Sequence, residues 1–499
     1  MLAADMPLKN MDRQTAASSS QRTHVKNMPD VLLINPLSIF RNVSEKSNLR
    51  NYKVSGVKTG VWPPLGLMYI AAELRKSGIS VGILDAFAKE YSLDQTLEAI
   101  RREEPRIIGI SAATPQIRGA YQLASEIKRQ FGRNILVCLG GPHVSSDPQF
   151  MDRVDCFDFA VLGESELEFP GIVKDLLNGG VPERIYRSDP PVDLDALSVP
   201  DRSEFDINDY FKTEQPCFTV ITSRGCPYKC IFCSRAAITD KVRYRSPESV
   251  LDEIGRCLER WGRTLVFLDD TFGMSRLHAT RILEGIIDRA YDLRWTCNTR
   301  AHLIDRDFID LMKRSGCYML LFGVESGSEH LRNQILKKHV SDEAIRNAVS
   351  LCKEFGILSG LYFMLGFPGE TRKEMEKTVN MGKDLGVDLI TVHPTAIYPG
   401  SQLQKTLQEE RGIDINAYWT EYAKGTLSFE EIPSVYIPEE MDLRYIQEAR
   451  KRAYRKFYFR PSVIWAHLKN DMASLKDLKR DAVIAVNLFR HGKTSKDLK

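Results

Sequence analysis

The sequence lacks any run of 18 uninterrupted apolar residues, so we expect no transmembrane helix. Its formal net charge is only +3 over 499 residues, which argues against a nucleic-acid partner. The first 28 residues contain no apolar stretch of the kind found in signal peptides, and we expect a disordered tail there. The ten cysteines are scattered, unlike a secreted disulfide framework. Together these absences predict a cytoplasmic protein.

The first third of the chain alternates short apolar runs with amphipathic segments. The apolar runs predict strands at 31–35, 81–85, 107–111, 135–140 and 159–163. The intervening segments predict helices, for example at 65–76, 93–102 and 116–130. This alternation is typical of a doubly wound parallel sheet, in which ligands bind at the carboxyl ends of the strands. We therefore predict a Rossmann-like domain over residues 29–180.

A second β/α series follows a segment rich in Pro and Asp, which we interpret as a linker over residues 181–214. Its six predicted strands lie at 218–222, 264–268, 293–296, 319–323, 357–364 and 389–393. Six units are too few for a complete eight-fold barrel, so we predict a partial (β/α)6 barrel over residues 215–410. The remainder, residues 411–499, has a helical and aromatic pattern.

Three cysteines in the spacing C-x3-C-x2-C follow the first predicted strand of the barrel: Cys226, Cys230 and Cys233. Structural zinc sites and ordinary ferredoxin clusters use four protein ligands. Three thiolates on one loop can instead hold a 4Fe-4S cluster and leave one iron open. Phe232 places an aromatic side chain beside such a cluster. The alternatives are a zinc site with a distant fourth ligand, or three buried thiols.

This motif, on the first loop of a six-unit barrel, resembles the radical S-adenosylmethionine superfamily. The resemblance implies that S-adenosylmethionine binds the open iron and is cleaved reductively, with electrons from a donor such as a flavodoxin or ferredoxin. It also implies cofactor contacts from the loops that follow the barrel strands. The residues concerned are Phe232, Asp269, Asp270, Arg300, Glu325 and Ser326. Helix capping or surface ion pairing is the alternative role for these side chains.

The N-terminal series resembles the cobalamin-binding domains of the same superfamily, on the segments 63–67 and 140–143. The cobalamin contacts that the resemblance implies are Gly140, Gly141, Glu164 and Ser165. Phe87 stands where the usual Asp-x-His-x-x-Gly signature has its ligand histidine. No imidazole is offered from that loop, and His143 is the alternative ligand.

Cations alternate with aromatic residues in the basic segment 450–460. The pattern favours a helix that covers the open side of the barrel. Contact with an anionic membrane surface, or with acidic groups of a substrate, is the alternative.

Two cofactor domains in one chain predict an enzyme that methylates an unactivated carbon of a small-molecule, lipid or tetrapyrrole substrate. This interpretation rests on the resemblance, which extends to class B radical methyltransferases and to anaerobic tetrapyrrole cyclases. An oxygen-independent oxidative cyclase, similar to the Mg-protoporphyrin monomethyl ester cyclases, is the second hypothesis. A non-catalytic corrinoid-binding sensor is the third. The sequence identifies no catalytic side chain.

Overall fold

The computed structural model describes residues 28–37, 62–200, 202, 205–210, 217–237, 239, 241–428 and 436–460. Residues 1–27 of the predicted tail and residues 461–499 lie outside this described part. Within it, no helix combines the length and the apolar content needed to cross a membrane.

Six parallel strands form the first sheet, in the order β2-β1-β3-β4-β5-β6. The strands are β1 (Val31–Asn35), β2 (Val81–Asp85), β3 (Ile107–Ser111), β4 (Leu136–Gly140), β5 (Phe159–Gly163) and β6 (Ile185–Ser188). The helices are α1 (Leu65–Lys76), α2 (Ala86–Lys89), α3 (Leu93–Glu103), α4 (Ile117–Phe131), α5 (Pro142–Ser146) and α6 (Phe169–Leu177). The predicted doubly wound sheet is confirmed. The segment expected to be a linker supplies its sixth strand, which sequence reasoning missed because the strand is short and half polar.

The second sheet also has six parallel strands, in the order β7-β10-β11-β12-β13-β14. Its strands are β7 (Cys217–Val220), β10 (Thr264–Phe267), β11 (Arg294–Thr299), β12 (Cys317–Glu325), β13 (Leu358–Leu365) and β14 (Leu389–Pro394). Its helices are α8 (Pro247–Trp261), α9 (Arg276–Asp288), α10 (Arg306–Arg314), α11 (Asp342–Glu354) and α12 (Arg372–Leu385). The short helix α7 (Ile207–Tyr210) precedes it. Each strand pairs with its predecessor in this series, and β7 and β14 form the two edges, as predicted for a partial (β/α)6 barrel.

The barrel helices begin at side chains suited to capping. In each case a hydroxyl or carboxylate oxygen accepts a hydrogen bond from a first-turn amide, which satisfies a donor that the helix itself leaves unpaired. The capping residues are Ser246, Ser275, Asp305, Ser341 and Thr371. These caps fix where each strand-to-helix loop ends, and therefore which residues remain at the carboxyl edge of the sheet.

The C-terminal helices pack on both domains. Helices α13 (Gln402–Arg411) and α14 (Ile415–Lys424) return to the first domain. There Trp419 and Tyr422 are buried in its core, and the Tyr422 hydroxyl donates to the carbonyl of Pro115 at 3.0 Å. Helix α15 (Leu443–Tyr458) packs against α12 and β14. The predicted helical character of this region is confirmed, and its aromatic residues form the packing faces.

Candidate cofactor sites

The cysteine loop leaves the barrel sheet and returns to it through a short antiparallel pair. This pair joins β8 (Ser223–Arg224) to β9 (Arg243–Tyr244) and closes the loop at its base. Gly225 has φ +94°, and a Cβ atom there would lie 2.1 Å from the carbonyl oxygen of Lys241. Only glycine fits this close approach in a left-handed conformation. The sequence Arg-Gly-Cys therefore fixes the start of the loop.

The three cysteines of the loop are half-buried, whereas six of the other seven free cysteines are buried. Burial raises the pKa of the Cys226 and Cys233 thiols. Burial therefore favours the protonated form of these two thiols, and metal binding must displace their protons. Three soft donors at the carboxyl end of a barrel strand fit an iron–sulfur cluster with one open iron.

Asp269 anchors the base of this loop. It is buried at the end of β10, and its carboxylate accepts hydrogen bonds from the Thr222 amide (2.7 Å), the Thr222 hydroxyl (2.6 Å) and the Ser223 hydroxyl (2.6 Å). Burial raises the pKa of Asp269, and these hydrogen bonds offset part of the rise. Asp269 thus positions the strand end that leads into the cysteines. A direct contact of Asp269 with S-adenosylmethionine stays a prediction.

Asp270 holds the other end of the loop. Its carboxylate lies 2.6 Å from the guanidinium of Arg235, two residues after the third cysteine. Arg235 is exposed, so the pair orients the loop and contributes little to stability.

Arg300 lies directly beside the cysteines. Its Nη1 is 3.8 Å from the Cys230 Sγ, and its guanidinium stacks on the Tyr228 ring at 3.6 Å from the centroid. It also donates to the carbonyl of Lys338. The structure therefore brings a buried cation to a predicted cluster ligand, where it would stabilise negative charge on the sulfur.

Glu325 and Phe232 both contact Lys338. The Lys338 Nζ lies 2.8 Å from the Glu325 carboxylate and 5.8 Å from the centroid of the Phe232 ring. Phe232 in turn packs against Phe367, with ring centroids 5.7 Å apart. Glu325 has φ +70°, an uncommon conformation for a residue with a side chain, and such outliers concentrate at functional sites. Through Lys338, Glu325 therefore lies close to the cysteine loop, which contains Phe232.

Ser326 has a packing role in this structure. It is fully buried, and its hydroxyl accepts from the Ser328 amide at 3.1 Å. The next residue, Gly327, approaches α12 so closely that a Cβ atom would lie 2.5 Å from the backbone nitrogen of Thr378. A cofactor contact for Ser326 stays a prediction.

The first domain has a narrow slot at the carboxyl end of its sheet. The residues that line it include Gly109, Ser111, Cys138, Gly140, Gly141, Ser165 and Phe169, and no charged side chain. Gly141 has φ +93°, and a Cβ atom there would lie 2.8 Å from the Ser111 hydroxyl and 2.9 Å from the Ala112 amide. Three of the four predicted cobalamin residues therefore share one glycine-walled, uncharged slot. Its uncharged lining suits a neutral group, and a cobalamin contact for these residues stays a prediction.

Glu164, the fourth predicted residue, joins the two domains. Its carboxylate accepts from Arg224 at 2.7 Å and from Arg243 at 3.2 Å. We call this set of three residues the interdomain clamp, because the arginines belong to the β8–β9 pair that closes the cysteine loop. Burial raises the pKa of Glu164, but the hydrogen bonds from Arg243 and Arg224 outweigh it, so the net pKa lies below its usual value. A cobalamin contact for Glu164 stays a prediction.

We expect the interdomain clamp to make the free energy of unfolding depend on pH. The lowered pKa of Glu164 means that its stabilisation is complete above about pH 4.5 and is lost as the pH falls through the lowered value. Glu164→Gln should cost about 3 kcal/mol at pH 7, because it removes the carboxylate partner of the mostly buried Arg243 and leaves Arg224 with Glu166 alone. Thermal unfolding of both proteins from pH 7 to pH 3.5 measures this difference, which should narrow in acid. An equal difference at every pH would contradict the clamp.

Neither His143 nor Phe87 lines the glycine-walled slot, and a ligand role for His143 stays a prediction. His143 is fully buried, with its Nδ1 3.3 Å from the Thr114 hydroxyl and its ring packed edge-on against Phe150. Burial lowers the pKa of His143 to about 3, so its imidazole is neutral. Phe87 lies on α2 and is half-buried.

The two candidate sites are adjacent in space. Helix α5, which follows the Gly140–Gly141 turn, lies against the turn Ser234–Ala237 that follows the third cysteine. Ile231 and Phe232 of the cysteine loop also pack against the core of the first domain. The Gly140–Gly141 turn, at one end of the slot, therefore lies close to the cysteine loop.

Sequence reasoning missed several residues of these sites. Tyr228 lies inside the cysteine motif and could have been noticed as an aromatic neighbour of the ligands. Lys338 and Arg224 carry no local signal, because only the fold brings them to Glu325 and Glu164. Glu370 fixes the loop after β13, since its carboxylate accepts from the Gly366 amide at 2.6 Å, and burial raises its pKa to about 7.

Comparison with known proteins supports the assignments of both the first domain and the barrel domain. Residues 220–382 match the radical SAM superfamily, and residues 54–173 match the B12 binding domain. An uncharacterized methyltransferase from Pyrococcus horikoshii is 31% identical over 421 residues, which cover 81% of this chain and 89% of the relative. An anaerobic magnesium-protoporphyrin IX monomethyl ester cyclase from Rubrivivax gelatinosus is 26% identical over 82% of this chain and 76% of its own length.

A solved structure shares the two-domain fold. The radical S-adenosylmethionine methyltransferase TsrM from Kitasatospora setae superposes with a TM-score of 0.62 at 20% identity, over 78% of this chain and 76% of that one. The radical SAM domain brings a 4Fe-4S cluster and S-adenosylmethionine, and the B12 domain brings cobalamin. The chain is thus an enzyme, and it belongs to the radical S-adenosylmethionine superfamily, among the members that carry a cobalamin-binding domain and include methyltransferases.

Proposed function

We propose that this enzyme methylates an unactivated carbon of a small-molecule, lipid or tetrapyrrole acceptor. The observation that supports the proposal is the contact between α5, which follows the Gly140–Gly141 turn, and the turn Ser234–Ala237, which follows the third cysteine. A radical methyl transfer needs the group that opens the C–H bond and the group that supplies the methyl to reach one acceptor atom. Similarity to the Pyrococcus methyltransferase supports the same reaction class.

The residues divide this work between them. Cys226, Cys230 and Cys233 would hold the cluster, which supplies the electron that cleaves S-adenosylmethionine when it is bound. Arg300 would stabilise the negative charge of the reduced state from its position beside Cys230. The Gly141 turn would hold cobalamin, which supplies the methyl group. The proposal includes an external electron donor such as a flavodoxin or ferredoxin.

A second function is favoured by one specific observation. The similarity to the Rubrivivax cyclase spans 82% of this chain, and it favours oxidative ring closure on the same scaffold. The two functions differ in their use of S-adenosylmethionine. Methylation consumes it both as a radical source and as a methyl donor, whereas cyclisation needs only the radical source.

The test is to follow the fate of labelled S-adenosylmethionine. The protein is reconstituted anaerobically with iron, sulfide and cobalamin, and a reductant is added. We expect both S-adenosylhomocysteine and 5′-deoxyadenosine, and we expect S-adenosylhomocysteine to disappear when cobalamin is omitted. Formation of 5′-deoxyadenosine alone, with or without cobalamin, would refute methyl transfer and favour the cyclase.

A further inference from the structure

The inner face of the barrel sheet carries polar side chains at its carboxyl end. On β14 the side chains of Ile390 and Val392 belong to the core between the strands and the helices. Because side chains alternate along a strand, Thr391 and His393 lie on the opposite face, and His393 is exposed. The strand register pairs Thr391 with Tyr362 and His393 with Met364 on β13.

This face adjoins the cysteine loop. Met364 packs against the small apolar cluster that contains Phe367, and Phe232 of the loop packs there too. Active sites of β/α barrels are built at this end of the strands. The face is therefore a surface on which an acceptor could lie within reach of both cofactor sites.

Arg450, a positively charged residue of α15, lies beside this face. Four cations of this helix have acidic partners: Arg452 and Lys456 pair with Glu376, and Lys451 and Arg455 pair with Glu448. Arg450 is half-buried, and none of the ion pairs found among the described residues includes it. Its guanidinium lies 5.9 Å from the ring centroid of Tyr454.

Tyr454 contacts both Arg450 and the end of β14. Its hydroxyl accepts a hydrogen bond from the Val392 amide at 3.0 Å, next to His393 in the chain. Arg450 precedes Tyr454 by one helical turn and so lies beside the same strand end. The exposed His393 imidazole follows Val392 in the chain and can donate or accept a hydrogen bond.

The other groups near this face are an ion pair, a neutral phenol and one further cation. Glu325 and Lys338 neutralise each other at 2.8 Å. Burial raises the pKa of the Tyr362 hydroxyl to about 12, so it stays protonated. Arg300 contacts Cys230 and the carbonyl of Lys338. Arg450 therefore adds a positive charge beside β14 that none of the ion pairs among the described residues compensates.

We propose that Arg450 and His393 bind an anionic group, a carboxylate or a phosphate, of the methyl acceptor. The proposal rests on the proposed function and names the substrate class of that site. Arg450 would supply the charge, His393 a hydrogen bond, and Tyr362 and Met364 the surface for the body of the acceptor. Arginine suits this role because its guanidinium binds both carboxylate and phosphate through two hydrogen bonds.

Titration calorimetry on the reconstituted protein tests the site directly. The probes are benzoate and phenylphosphonate, with benzyl alcohol as the neutral analogue. We expect one anion or both to bind and benzyl alcohol not to bind. Arg450→Gln should weaken anion binding at least tenfold, and His393→Phe should weaken it severalfold. Tighter binding of benzoate would assign a carboxylate, and tighter binding of phenylphosphonate would assign a phosphate.

The matched control is Arg444→Gln, which removes an exposed arginine of the same helix. It should leave anion binding unchanged. Equal losses in Arg444→Gln and Arg450→Gln, or binding that ignores Arg450, would overturn the proposal. Equal far-ultraviolet circular dichroism and cluster content would show that the variants are folded. Formation of S-adenosylhomocysteine and 5′-deoxyadenosine by the unmodified protein is measured separately, so failure of the reaction is distinguishable from failure of the anion site.

Discussion

Replacement of Cys226, Cys230 and Cys233 by alanine together should abolish the visible absorption of the cluster and all cleavage of S-adenosylmethionine. Each cysteine supplies one of only three protein ligands, so no other thiol on the loop can substitute. Loss of an outer-shell partner alone can reduce metal affinity about a hundredfold, and loss of the ligands themselves should exceed that. Iron and sulfide content, the absorption spectrum and 5′-deoxyadenosine formation measure the effect.

The matched control replaces three other cysteines, Cys217, Cys257 and Cys352. None of them lies on the loop, and two are buried in the protein interior. This variant should retain the cluster, at a modest cost in stability from the small cavities it leaves. A cluster that survived in the first variant, or was lost in the control, would contradict the assignment of the site.

Gly141→Ala should lower cobalamin affinity at least tenfold, which corresponds to about 1.4 kcal/mol. A side chain at φ +93° costs about 1–2 kcal/mol in backbone strain. The new Cβ would also lie 2.8 Å from the Ser111 hydroxyl and 2.9 Å from the Ala112 amide, so the turn that lines the slot must shift. Titration with hydroxocobalamin, followed by its absorption, gives the affinity.

The adjacent glycine offers the control. A Cβ atom on Gly140 would meet its nearest atom, the Val161 carbonyl oxygen, at 3.8 Å, which is ordinary contact. Gly140→Ala should therefore bind cobalamin nearly as the unmodified protein does. A second variant, Ser165→Phe, fills the slot from its other side without strain at Gly141. Unchanged cobalamin affinity in both Gly141→Ala and Ser165→Phe would place the cofactor elsewhere.

Local patterns in the sequence predicted most of the framework correctly. Apolar runs marked five strands of the first sheet and all six of the second, because strands that are buried on both faces must be apolar along their length. The strand β6 was not predicted because Arg187 and Ser188 interrupt its apolar character. Helix α14 was expected as part of the helical C-terminal extension, but its Trp419 and Tyr422 belong to the core of the first domain. No pattern over neighbouring residues can report such a long-range contact.

The roles of the polar site residues were harder to predict. A carboxylate at the end of a strand can bind a cofactor or hold its own scaffold, and the sequence does not distinguish these roles. Asp269 hydrogen-bonds to Thr222 and Ser223, and Glu164 binds Arg224. Each partner lies more than 40 residues away along the chain, so only the fold reveals the pairing.

The sequence by itself determined the chemistry available to this protein. The spacing of three cysteines on one loop is local, and ligand count and donor type follow directly from it. Two successive β/α series predicted two domains, and the resemblance of each to a known family implied its cofactor. Only the tertiary structure decided that α5 contacts the turn after the third cysteine, that Arg300 lies beside Cys230, and that Arg450 lies beside the end of β14. These contacts join distant segments, and their geometry depends on how the two sheets and the C-terminal helices pack.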